Sequence, residues 1–168
     1  MASSSTRGVN APRNDARPYL LITLLLATGI KKGEAMDLRL DDIDLSDPQQ
    51  PILYVRYAEA KKRHKERKLK LPADFGETLR RYREQYQPHA RLFECTSRHL
   101  ENVLSASAKI AGLNRFLSFE DLRWTCAVCD LRNGVPADRV RQKLGLSVVT
   151  WEDAGARRRL ERLAAQPL

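Results

Sequence analysis

Between Glu59 and Lys70, seven Lys or Arg side chains stand against two Glu. A run of this kind is solvated surface in many proteins. Here it falls between two segments of strand composition, and a two-stranded ribbon with a cationic tip can enter a groove or follow a line of phosphates. The chemistry on offer is therefore charge, aimed at a polyanion. A second cluster, Arg157-Arg158-Arg159, falls on a predicted C-terminal helix and reads as a solvated face. Tyr82 and Tyr86 lie four residues apart beside Arg80, Arg81 and Arg83. Base stacking would suit them, but packing of their helix on a core is the simpler reading. Cys126 and Cys129 have the Cys-x-x-Cys spacing inside a predicted helix. The metal reading is a zinc half-site completed by Cys95 and His99 or His89. A structural zinc site wants two close-spaced pairs, so two small buried core residues are preferred and no metal is expected.

The elements that must position these groups follow from periodicity and from helix stops. Residues 1–16 are rich in Ser, Arg, Asn and Pro without an apolar period, and read as an arm or linker. Residues 17–168 read as one domain. Pro18 opens an apolar helix over 18–28 that stops at Gly29, and a second helix spans 31–38. Ile52 to Tyr57 and Lys68 to Leu71 have strand character, with the basic segment 61–67 as the hairpin tip between them. After Pro72 the pattern predicts helices over 74–87, 97–111, 119–133, 136–144 and 148–164. Ser118 caps one of them, while Gly134 and Gly145 follow helix ends. The fold class is mainly α with a small antiparallel β-sheet (α+β).

Composition narrows the function. With 42% hydrophobic residues in 168, the chain can bury a core. A net charge of +9 points to an acidic partner, and nucleic acid is the first candidate. The longest apolar stretch, Tyr19 to Ala27, is interrupted by Thr23 and is too short to span a bilayer. The first residues have no apolar core that could act as a leader. Three cysteines are an odd count for a disulfide framework. The expected location is the cytoplasm, on the nucleoid if the source is bacterial.

Three stretches in order resemble the tyrosine recombinases, the phage integrase family. The first runs from Leu24 through Thr28-Gly29-Ile30-Lys31 to Glu34 and Leu38, then Asp41-Asp42-Ile43-Asp44. The second is the hairpin from Lys61 to Pro72. The third is Phe119-Glu120-Asp121-Leu122-Arg123-Trp124-Thr125, with Leu131 to Gly134 and Lys143-Leu144-Gly145 downstream. Together they cover residues 17 to 155. The resemblance implies a recombinase catalytic-domain fold and duplex DNA as partner, with other recombinase-like subunits alongside. It also implies a role in DNA recombination or integration, as in mobile elements, without a metal or nucleotide cofactor. In that family a tyrosine attacks a DNA phosphate to form a 3′-phosphotyrosine. Two arginines stabilise the phosphate charge, a hairpin lysine protonates the leaving 5′ oxygen, and histidines assist. The family also has a preceding helical domain that completes a clamp around DNA, for which these residues offer no counterpart.

Residue by residue, the resemblance puts Lys31 at the first arginine position, Lys62 at the hairpin lysine and Arg123 at the second arginine. Glu120 and Leu146 stand at the histidine positions. Lysine keeps the charge of arginine but loses its bidentate fork. The nucleophile belongs near Gly155, yet all five tyrosines, at 19, 54, 57, 82 and 86, precede Arg123. Ser147 and Thr150 are poor substitutes, with only Glu152 and Asp153 nearby as bases, and read as helix caps. The expectation is a DNA-binding relative without a competent catalytic set, its phosphate-facing surface made by Lys31, Lys61, Lys62, Arg63, Lys65, Arg67 and Arg123. The alternatives are a strand-transfer enzyme with an atypical site, or an interaction domain that reuses the fold.

Overall fold

The computed structural model describes residues 14–153 and 155–167. Helix α1 (Ala16–Thr28) runs through the middle of the fold, with Leu20, Leu21, Leu24 and Leu25 fully buried. It starts two residues before Pro18, because Asp15 caps it by accepting from the Arg17 N–H. Pro18 sits harmlessly in the first turn, where its missing N–H has no intrahelical partner. Residues 14–16 therefore belong to the domain. Gln85 ties them down, accepting from the Ala16 N–H and donating to the Asn14 carbonyl, both at 2.8 Å. The rest of the expected arm, residues 1–13, lies outside the described residues.

Helix α2 (Lys32–Asp37) follows the left-handed Gly29. The sheet comprises β1 (Ile43–Asp44), β2 (Ile52–Val55) and β3 (Arg67–Lys70), antiparallel in that order, with Leu53 opposite Leu69 and Tyr54 opposite Lys68. Leu53, Val55 and Leu69 face inward onto the main core. β1, only two residues long, is an addition to the expected hairpin. The tip is a 3-10 turn over Ala60–Lys65 rather than a simple loop.

Helices α3 (Phe75–Tyr86), α4 (Ser97–Ile110) and α5 (Phe119–Arg132) surround α1. Phe75, Leu79, Tyr82, Leu100, Leu104 and Leu122 complete the main core. Ser118 and Asp121 close the start of α5 reciprocally as a capping box. A smaller core of Ala127, Val140, Leu144, Trp151 and Leu160 joins the end of α5 to α6 (Ala137–Lys143), α7 (Val148–Glu152) and α8 (Ala156–Ala164). The expected single helix over 148–164 is thus two. The break is at Gly155, whose φ of 71° is left-handed and starts α8 in a new direction. Among the described residues no helix is long and apolar enough to cross a membrane.

Candidate functional site

The corner after α1 carries the site. Gly29 turns the chain, Ile30 is buried, and Lys31 stands at the start of α2 with its N–H donating to Glu34 Oε2 at 2.8 Å. Glu34 points inward and meets Arg67 from β3 as a two-pronged pair, Nη1 to Oε1 at 3.0 Å and Nη2 to Oε2 at 2.9 Å. The same guanidinium donates through Nε to the Lys143 carbonyl at 2.6 Å. It also presses against the α-carbon of Gly145, where a methyl would fall 2.7 Å from Nη1. Tyr57 adds its hydroxyl to Glu34 Oε1. Burial pushes the Glu34 carboxyl up, but the Arg67 guanidinium outweighs it, and the net shift is downward. The Tyr57 phenol goes the other way, raised to about 12 by burial and by the Glu34 carboxylate.

Arg123 is also buried, at 4% exposure. Its Nη1 donates to the Gly29 carbonyl at 2.5 Å and its Nη2 to the Leu144 carbonyl at 2.8 Å. Carbonyls satisfy its donors without cancelling its charge. Burial, and then the adjacent Arg123 charge, hold the Lys31 ammonium below its ordinary value; Lys65 and Arg67 act in the same direction. Lys31, Lys65, Arg67 and Arg123 are therefore electrostatic neighbours. A cavity of about 390 Å³ opens beside Lys31 and Arg123, with Glu120 on its wall. A groove of about 920 Å³ runs along α3 past Leu45 and Pro48 and contains none of the residues expected to face phosphate.

The expected surface residues divide into three groups. Lys61, Lys62, Arg63 and Lys65 occupy the 3-10 turn at the tip, where Lys62 pairs with Glu59 at 2.5 Å. Among the described residues, Lys61, Arg63 and Lys65 form no ion pair. Lys31 and Arg123 sit at the cavity. Arg67 differs from the others: its side chain is 10% exposed and fully engaged by Glu34, so its charge is spent inside the protein. The alternation Arg67, Lys68, Leu69, Lys70 carries the signal for this, since Arg67 shares the inward face with buried Leu69. That Glu34, Tyr57 and Gly145 meet around Arg67 has no local signal in the sequence, because the four lie far apart along the chain.

Glu120 receives the Trp124 indole N–H at 2.8 Å, and Leu146 packs on the smaller core. Ser147 caps α7, but Thr150 is not itself a cap; the two hydroxyls lie 2.9 Å apart. Tyr82 and Tyr86 stack at 4.9 Å, with Tyr82 buried and donating to the Leu92 carbonyl, so that helix face packs inward. Cys126 is buried and its thiol is pushed up to about 11 by burial, whereas Cys129 is exposed, contrary to the expectation of two buried residues. Among the described residues no three His, Cys, Asp or Glu side chains are grouped to hold a metal ion.

A family model described as the phage integrase family matches residues 6–150. Among solved structures, the chain is similar to the XerA recombinase, with 21% identity and a TM-score of 0.68 over 99% of this chain and 68% of that one. XerH site-specific recombinase bound to its difH substrate matches at 23% identity and a TM-score of 0.67, over 89% of this chain and 45% of that one. The Tn1549 transposon integrase in complex with transposon right end DNA gives 18%, 0.61, 89% and 59% respectively. At these identities the structural likeness establishes the fold. No curated protein matches the chain by sequence.

Proposed function

This chain belongs to the phage integrase family, and on that premise we propose that it is a DNA-binding recombinase-like domain that holds a phosphodiester without cleaving it. The observation that carries the reading is a gathering of cations without a nucleophile. Lys31 and Arg123 line an open cavity, with Lys65 an electrostatic neighbour of Lys31, while no tyrosine follows Tyr86. DNA as partner, with other recombinase-like subunits, comes by likeness from XerH, Tn1549 integrase and the lambda integrase dimer on its core site.

Binding and cleavage separate here for physical reasons. Phosphate affinity depends on the number and placement of cations. Cleavage in this family needs a nucleophile, and losing one typically costs several orders of magnitude in rate. Gly155 stands where the family's tyrosine belongs. Tyr57 is close to the cations, but its hydroxyl donates to the Glu34 carboxylate and its phenol is raised to about 12, the wrong direction for a nucleophile. Ser147 and Thr150 face each other rather than a base. Lys31 offers a point charge where arginine would offer a fork, and Glu120 puts a carboxylate where the family has an assisting histidine.

Incubation with nicked or suicide duplexes followed by denaturing electrophoresis tests the reading. No covalent adduct is expected. A band that survives denaturation and disappears with protease would overturn the inactive assignment. Binding of intact duplex should weaken with salt along a log–log slope of about −4 to −5, for four to six phosphate contacts. An affinity independent of salt would remove DNA as the partner.

A further inference from the structure

We propose that the cavity between the α1–α2 corner and the start of α5 takes the base of an unstacked nucleotide, with Phe116 as its stacking platform. The inference rests on the DNA-binding reading above and adds a base to the phosphate at Lys31.

The cavity has a mixed lining. At about 390 Å³ it is within the size range of small-ligand sites. Its lining carries cations, Lys31 and Arg123, together with apolar Ile30, Leu117 and Phe119. A nucleotide has the same division, an anionic phosphate joined to a flat apolar-faced base. Phe116 also lines the cavity and is 80% exposed, whereas Phe75 and Phe93 are 0% and 1% exposed. Among the described residues its ring stacks on no other aromatic ring or cation, and an aromatic face beside a cationic groove is what stacks bases in single-strand binding sites.

Glu120 decides between a base and a second phosphate. A carboxylate on the wall repels phosphate but accepts the exocyclic amine of a base edge. One Glu120 oxygen already receives the Trp124 indole N–H, leaving the other available. The Ser105 hydroxyl lines the same cavity. Amino-bearing bases therefore suit the site better than thymine. The charge at the α2 end is partly committed, since Lys32 pairs with Glu101 at 2.8 Å, so Lys31 is the phosphate partner of choice. Extruding a base from intact duplex is costly, and least so where the base is already unpaired.

The test uses the full chain and fluorescein-labelled duplexes that differ at one position: fully paired, one extrahelical cytosine, one extrahelical thymine, or one extrahelical abasic unit. Fluorescence anisotropy at fixed salt should give binding about tenfold tighter for extrahelical cytosine than for the paired duplex, the effect of one base–aromatic stack. The abasic duplex should lose that advantage. Phe116→Ala should abolish it without changing affinity for paired duplex, with circular dichroism confirming the fold. Glu120→Gln should narrow the preference for cytosine over thymine. Equal binding of paired and cytosine-bulged duplexes would overturn the proposal, as would a bulge preference that persists in Phe116→Ala. Either result leaves salt-dependent duplex binding standing. Loss of all duplex binding at low salt would instead sink the DNA reading beneath it.

Discussion

Arg67→Ala should strongly destabilise the domain while leaving the DNA affinity of folded molecules within about twofold, the range expected when a group makes no phosphate contact. Arg67 and Glu34 are 10% and 3% exposed, so solvent and salt screen their attraction little. Removing the arginine strands a buried carboxylate on Tyr57 and the Lys31 N–H, and frees the Lys143 carbonyl. Breaking a buried pair from one side costs about 3–5 kcal/mol, a large share of the roughly 5–15 kcal/mol that holds a domain folded. At roughly 2–4 °C per kcal/mol for a domain of this size, the melting temperature should fall by about 6–20 °C. Thermal and urea unfolding followed by circular dichroism would measure it. Arg67→Met with Glu34→Met should recover most of the loss, since neither charge then remains buried. The pH dependence has a definite sign. The Glu34 carboxyl is lowered in the folded state, so its contribution is full above its unfolded value and disappears as pH falls through the folded one. Acid should therefore destabilise wild type through this pair, and the double Met variant should lack that part of the acid response. A melting shift under about 2 °C, less than the effect of 1 kcal/mol, together with a large loss of DNA affinity, would refute the buried-pair assignment.

Three further outcomes follow from the structure. Replacing Lys62, Arg63 and Lys65 together with Ala should weaken duplex binding strongly and flatten the salt slope by about 0.9 per lost phosphate contact. Thermal stability should stay nearly unchanged, as for other surface substitutions; a clear drop in melting temperature with DNA binding intact would reassign these cations to holding the fold. Gly145→Ala should destabilise by about 1–3 kcal/mol, because φ is 62° and the new methyl meets Arg67 at 2.7 Å. Gly33→Ala, with nothing within 4 Å, should be neutral or stabilising by about 1 kcal/mol through helix propensity. Chemical denaturation of the two variants side by side checks both, and equal effects would contradict the contact.

Local signals made most elements legible. The leucines of α1, the Ser118–Asp121 box, and glycines at 29, 134 and 145 each act through neighbours a few residues away, so the helices they start or stop fall near their expected limits. β1 was not legible because two residues carry no period. The break before α8 was missed because one glycine inside a helical pattern is tolerated until tertiary packing turns it left-handed. At the site, the charges and their order were visible, but their allegiance was not. Alternation along β3 turns Arg67 inward with Leu69, but the partner that ties it down, Glu34, lies 33 residues earlier and leaves no local signal. The same limit hid Tyr57, whose partner is 23 residues away.

Arg123 has a consequence for how the domain assembles. Its two acceptors, the carbonyls of Gly29 and Leu144, lie 94 and 21 residues from it in sequence. Gly29 adjoins the larger core and Leu144 is part of the smaller one. Until both segments have docked on α5, a guanidinium that is 4% exposed in the finished fold must remain in water or go under-bonded, at a cost of several kcal/mol if buried without partners. Neither core closes over α5 at low free energy without the other. The two should melt in one transition, and a chain still emerging from the ribosome should keep its first core loosely formed until α6 is released, despite that core's apolar content.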